Sequence, residues 1–287
     1  MEQTEAVKIG VQHHHAHIAS CLGEAGIEGP VIGFAFDGTG YGEDGTIWGG
    51  EILVATTSQY QRVGHLEEVP LPGGEVAIRN PWRMAIAHLV TSFAGETDNL
   101  DLERLLGQPR EAIEAVRRMI HADFNCPRTS SCGRLFDAVS SLCGVCNKVS
   151  YEGQAAIELE MIADNDGKAY PVEIARGDRL VIRTGGLICS IVADLERGVP
   201  PSTVSRRFHN WVASAIARSA KLVREETGIT KVALSGGCFQ NEILLRTAMA
   251  LLKDQGFEVL INRVVPANDG GISFGQVVVA ASRLARE

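Results

Sequence analysis

KVALSGGCFQN, residues 231–241, decides the fold class. A short aliphatic strand pattern runs into Ser-Gly-Gly, and a helical pattern follows from 239 to 253. A strand–glycine turn–helix step sets backbone N–H groups and the helix dipole against whatever binds there, favouring an anion. The chain then repeats the alternation: FEVLI at 257–261 reads as strand, NDGG at 268–271 as turn, and 272–286 as helix. This pattern predicts an α/β domain, a sheet with helices packed on it. The glycine turn is neither a P-loop nor a GxGxxG fingerprint, which excludes a P-loop ATPase and a dehydrogenase of that type. Asn241, one turn into the predicted helix, reads better as a ligand contact than as a cap or surface amide.

Further upstream, VIGFAF at 31–36 reads as a buried strand that ends in the glycine-dense loop DGTGYGEDG, 37–45. IWGGEILV at 47–54 and QRVGHL at 61–66 continue a strand–loop–strand meander. PLPGG at 70–74 is a loop, and Asn80 precedes a helix with Pro81 at its first position. Residues 100–165 read as mainly helical, with a loop at 125–133, an amphipathic stretch at 134–142 and a helix at 152–164. A long periodic helix spans 200–226, with Ser202 as its expected cap.

The N-terminal end carries the most unusual stretch, VQHHHAH at 11–17. It opens a predicted helix over 12–24 that closes near Gly26. On that helix His13 and His17 lie one turn apart on one face, a spacing that holds a single divalent metal. His14 with His17 is an alternative pair, and a polar surface helix is the plain alternative; His13 with His17 is favoured. Asp37 can ligate a cation or orient water, while Gly38, Thr39 and Gly40 let backbone N–H groups approach an anion. Asp269, at the mouth of the last helix, is either a hard metal ligand beside imidazoles or a simple cap. Cys126, Cys132 and the Cys143-Gly-Val-Cys146 pair could form structural zinc, but their spacing is not that of a usual knuckle. No G-x-S-x-G elbow supports serine catalysis.

The 287 residues carry a formal net charge of −8, which argues against a dedicated nucleic-acid binder. No apolar run reaches the roughly 20 residues of a membrane helix. The acidic, polar first residues show no secretory signal, and seven cysteines without a framework pattern suggest a reducing cytoplasmic setting.

Together the motifs resemble the C-terminal, TsaD-like domain of the HypF-type carbamoyltransferases that mature nickel–iron hydrogenases. The carrying stretches are VQHHHAH, FDGTGYGEDG (36–45), RNPWRMA (79–85), TSSCGRLFDAVSSL (129–142), YEGQAA (151–156), LSGGCFQN (234–241) and NDGG, in the family's order. The resemblance implies an actin/sugar-kinase/Hsp70-like (ASKHA) fold of two α/β lobes with nucleotide and metal in the cleft. It implies that His13, His17 and Asp269 are metal ligands, with Asp37 a fourth contact. Asp137 and Gly153 match positions that hold the ribose, and Gly236, Gly237 and Asn241 match the turn on the adenosine side. Arg79 and Arg83 match phosphate or carbamoyl contacts. The expected division is 1–75 as the remainder of a truncated N-terminal lobe, 76–200 as a mainly helical inter-lobe segment, and 201–287 as the C-terminal lobe. The implied reaction moves a carbamoyl group from carbamoyl-adenylate to the C-terminal cysteine of a HypE-like partner, with Fe, Zn or Mn and ATP or AMP bound. A tRNA threonylcarbamoyl-transfer subunit, a small-molecule O-carbamoyltransferase and an inactive nucleotide-binding module are the alternatives.

Overall fold

Gln12 starts the first helix by accepting hydrogen bonds on its side-chain oxygen from the backbone of His14 and His15, and Gly26 ends it in the left-handed region. The computed structural model describes residues 7–285, so the predicted helix end at 286 lies outside the described residues. The elements run α1 (His13–Ala25), β1 (Val31–Tyr41), β2 (Ile47–Ala55), β3 (Tyr60–Leu66), β4 (Val69–Pro70), α2 (Glu75–Arg79) and α3 (Pro81–Ser92). There follow α4 (Leu102–Leu106), α5 (Arg110–His121), β5 (Arg128–Thr129), α6 (Cys132–Leu142) and α7 (Gln154–Met161). The rest are β6 (Glu173–Ala175), β7 (Leu180–Arg183), α8 (Gly185–Glu196), α9 (Pro201–Thr227), β8 (Lys231–Ser235), α10 (Glu242–Asp254), β9 (Glu258–Ile261) and α11 (Ile272–Leu284).

The strands form one mixed sheet in the order β6-β7-β3-β2-β1-β8-β9, with β4 and β5 attached beside β2. β1 pairs antiparallel with β2 and parallel with β8, and β8 pairs parallel with β9. Residues 1–75 and 201–287 thus contribute to the same sheet, and β7, from the segment between them, pairs in parallel with β3.

Alternation along β1 sorts its side chains. Ile32, Phe34 and Phe36 enter the larger core, shared with apolar residues of α3, α6 and α9, where each fully buried side chain contributes roughly 1.5–3 kcal/mol. Val31 and Ala35 face the other way, into a smaller core with Ile18 and Leu22 of α1. Asp37 continues that second series, so the pleat turns its carboxylate toward α1. The second layer is closed by α11, which crosses α1 in backbone contact: a methyl group at Gly275 would overlap the carbonyl oxygen of Ala16.

Several expectations change. The DGTG stretch is not a loop; β1 runs on to Tyr41, with a bulge between Phe36 and Gly40 absorbing the extra residues. The 134–142 stretch is amphipathic, but its polar side with Arg134 and Asp137 faces the cleft rather than open solvent, and all of α6 is buried. Pro200, not Ser202, precedes the first turn of α9, and Ser202 instead accepts Asp164 N–H at its carbonyl. The predicted helix over 239–253 is split into a 3₁₀ turn, Gly237–Gln240, and α10.

Candidate active site

Four side chains from three parts of the chain meet beside the N-terminal half of α1. His13 Nε2 and His17 Nε2 each stand 3.0 Å from Asp37 Oδ2 and 3.5 Å from Asp269 Oδ1. The four donor atoms all lie within 4.8 Å of one another. Donors bound to one ion at about 2.0–2.2 Å stand roughly 3.0–3.6 Å apart, so the four contacts of 3.0 and 3.5 Å match a single small divalent cation, around which the widest spacing of the set closes slightly. Two neutral imidazoles and two carboxylates suit Fe, Zn or Mn.

Each ligand has a structural reason for its place. The helical repeat stacks His13 over His17, the pleat of β1 delivers Asp37, and the 3₁₀ turn Asp269–Gly271 ahead of α11 delivers Asp269. Gly237 N–H donates to Asp37 Oδ1 at 3.1 Å, and a methyl group on Gly237 would press on that oxygen at 2.8 Å. Burial works to raise the Asp37 pKa, but hydrogen bonds from His13 and His17 outweigh it and keep the carboxylate ionised far below the usual range. Burial likewise disfavours a charged His17, yet its bonds to Asp269 and Asp37 hold its pKa up at about 9. Metal binding must therefore displace a proton from His17.

The other two histidines of the run are scaffolding. His14 sits 3.3 Å from Gln12 Nε2 and against the Trp48 ring, and His15 Nε2 bonds Thr56 O at 2.8 Å. Of the two possible histidine pairs, only His13 with His17 reaches the carboxylates.

Asp37 and Asp269 also line a cleft of about 410 Å³. Its walls include Gly38, Asp137, Gly153, Gly237 and Asn241, so seven of the fourteen expected site residues face this space directly. His13 and His17 join through the two carboxylates. Thr39, Gly40 and Gly236 do not line it. Thr39 is exposed on β1, and Gly40 carries the imidazoles of α1 on its backbone: a methyl there would stand 2.8 Å from His13 Cδ2. Gly236, at φ 105°, is pressed on the backbone of Phe36 and is a packing residue of the turn. Arg79 and Arg83 lie elsewhere: Arg79 pairs with Glu75 on the surface, and Arg83 bonds the carbonyl of Pro72. The four cysteines considered for zinc do not gather; among the described residues the His13, His17, Asp37, Asp269 set is the one such group of donors.

Asn241 lines the cleft and is a cap as well. It is the N-cap of α10, accepting Leu244 N–H on Oδ1 at 2.8 Å, and its Nδ2 donates to His209 Nε2 at 2.8 Å. His209 Nδ1–H in turn donates to Ser205 O at 2.8 Å. Sequence reading missed His209, whose position on α9 gives no local signal. It also missed Arg134, Glu152 and Glu160 in the cleft wall.

Burial pushes the pKa of His209, and of the fully enclosed His88, down to about 4. Both are neutral when folded, so their contribution to stability is complete above the unfolded value near 6.5 and is lost as pH falls through 4. By about pH 5 each should cost on the order of 2 kcal/mol. The urea midpoint should therefore fall between about pH 7 and pH 5, and His209→Gln should flatten part of that fall. An unchanged midpoint would contradict the buried neutral assignment.

Comparison with known proteins places the chain. Residues 33–276 match the family described as carbamoyltransferase, Kae1-like domain, second subdomain. A carbamoyltransferase HypF homolog of Cupriavidus necator is 40% identical over 95% of this chain and 71% of its own length. The carbamoyltransferase HypF of Rhodobacter capsulatus is 40% identical over 96% of this chain, which spans 36% of that protein. A crystal structure of full-length HypF in the phosphate- and nucleotide-bound form superimposes with a TM-score of 0.89 at 43% identity, covering 99% of this chain and 44% of the other. The crystal structure of T. kodakarensis HypF gives 0.84 at 32% identity, covering 96% and 36%.

Proposed function

Because the chain belongs to the HypF carbamoyltransferase family, through the Kae1-like domain it matches over residues 33–276, we propose that it carries out the transfer half of carbamoylation. In this reading it binds carbamoyl-adenylate and passes the carbamoyl group to the C-terminal cysteine thiolate of a HypE-like partner, in the cytoplasm. The fold is then of the actin/sugar-kinase/Hsp70 kind. One observation carries the proposal: Asp37 and Asp269 of the four-donor cluster line the same cleft as Asp137, Gly153, Gly237 and Asn241, which match the nucleotide positions.

His13, His17, Asp37 and Asp269 would hold the metal, which when bound supplies a Lewis acid for the carbamoyl oxygen. Asp137, buried with its Oδ2 without a hydrogen-bond partner, can accept from ribose hydroxyls, and burial pushes its pKa up to about 6. Ala156 and Ile157 give the cleft an apolar stretch fit for a purine. The partner's thiolate attacks the carbamoyl carbon. A C–S bond forms, the bond from that carbon to the adenylyl phosphate oxygen breaks, and AMP leaves with the electron pair. Cys238 also lines the cleft, but its contact with Cys132 and its burial push the thiol well above its ordinary pKa. It stays protonated and does not compete as nucleophile.

The test supplies the metal-loaded chain with pre-formed carbamoyl-adenylate and a cysteine-ended peptide. S-carbamoyl peptide and AMP should appear in equal amounts. Asp269→Ala should slow transfer by about 100-fold or more, the scale of a lost oxyanion stabiliser, while changing AMP affinity only slightly. Transfer to a sugar hydroxyl but not to a thiol, or no transfer by a folded and metal-loaded chain, would overturn the proposal.

A further inference from the structure

Arg134 is the one cation in a wall otherwise acidic. Among the described residues lining the cleft, Asp37, Asp137, Glu152, Glu160 and Asp269 are carboxylates, and Arg134 alone opposes them. Its side chain is 8% exposed. Nε stands 3.1 Å from Asp137 Oδ2, without the alignment of a hydrogen bond, and Nη1 has no partner either. A buried guanidinium with free N–H groups costs free energy unless a ligand takes them up.

Its position says which ligand group does so. Arg134 and Asp137 occupy successive turns of α6, at i and i+3, on the cleft-facing side. The other end of the guanidinium lies toward β1: a methyl built on Gly38 would stand 3.8 Å from Arg134 Nη2. The guanidinium therefore lies between Asp137 and Gly38, in the wall of the cleft that Asp37 and Asp269 also line. A ligand whose sugar meets Asp137 has its linking group beside this side chain, the one cation in the cleft wall. In an adenylate that linking group is the phosphate, whose oxygens fit the planar fork.

We propose that Arg134 binds the phosphate of the nucleotide, and so makes the cleft select a nucleotide over the uncharged nucleoside. This rests on the nucleotide reading given above. The phosphate contact expected of Arg79 and Arg83 falls instead to a residue inside α6, three positions before Asp137. During transfer the same contact stabilises the departing AMP.

Calorimetric titration of the metal-loaded chain with adenosine and with AMP tests this. Wild type should bind AMP more tightly than adenosine. Arg134→Gln should weaken AMP by about 10- to 100-fold and leave adenosine within about twofold, as loss of a charge-assisted pair predicts. Arg134→Lys, which keeps the charge and loses the fork, should fall between the two, and it serves as the test if the Gln variant fails to fold. Equal weakening of both ligands would make Arg134 merely structural and overturn the proposal. So would AMP and adenosine binding equally to wild type. If wild type binds neither, the nucleotide reading fails and the role of Arg134 fails with it.

Discussion

Replacing His13 and His17 together with Ala should give a folded protein that binds no stoichiometric metal and transfers no carbamoyl group. The two imidazoles supply both nitrogen donors of the four-atom set, and two carboxylates alone, one of them 66% exposed, make a weak site for a transition metal. Folding should survive. The interior of α1 is held by Ile18, Leu22 and their neighbours, and His15 still ties the helix to Thr56. Removing the imidazoles leaves Asp37 with the backbone N–H groups of Gly237 and Gly38 against its burial, so its carboxyl should titrate much closer to the ordinary range in the double variant. Either single variant should weaken metal binding without abolishing it. Elemental analysis after dialysis decides the matter, and undiminished metal in the double variant would remove the assignment.

Gly275→Ala should be nearly as damaging, from a position that touches no ligand. The added methyl group would overlap the carbonyl oxygen of Ala16, which is backbone and cannot swing aside. α11 and α1 must then separate. α1 carries His13 and His17, and the 3₁₀ turn that carries Asp269 leads directly into α11, so the shift opens the donor set at both sides. Overpacking of this kind costs about 1–3 kcal/mol. A lowered urea midpoint with metal affinity down by at least tenfold is the expected pair of results. A variant that melts and binds metal like wild type would show that the two helices are not held in this register.

The parts legible in sequence are those governed by short repeats. The four-residue spacing of His13 and His17 puts both on one face of α1, and the two-residue repeat of β1 puts Asp37 on the side of Val31 and Ala35, toward that helix. The strand–turn–helix alternation after 231 also reads directly, apart from the 3₁₀ turn before α10. What escaped depends on contacts far along the chain. The glycines of DGTG look like a loop, yet Gly40 stays paired opposite Trp48 because β2 supplies the ladder. Arg134 sits in a stretch patterned like a surface-facing helix, and only the packing of α6 on every side turns its guanidinium into the cleft. Asn241 looks like a ligand residue until His209, 32 positions earlier, takes up its amide. β6 and β7 were missed because the polar residues of 162–184 mask short strands, completed by pairing with each other and, for β7, with β3.

Metal at the donor cluster and nucleotide at Asp137 would share one cleft, with Arg134 on the phosphate. Loading the chain with manganese and recording the phosphorus resonance of bound AMP measures this directly. Strong paramagnetic relaxation of that resonance is expected in wild type, and its loss in the His13→Ala, His17→Ala variant under conditions where AMP still binds. Bound AMP whose phosphorus is indifferent to manganese in the wild-type protein would place the nucleotide away from the donor cluster and contradict the account.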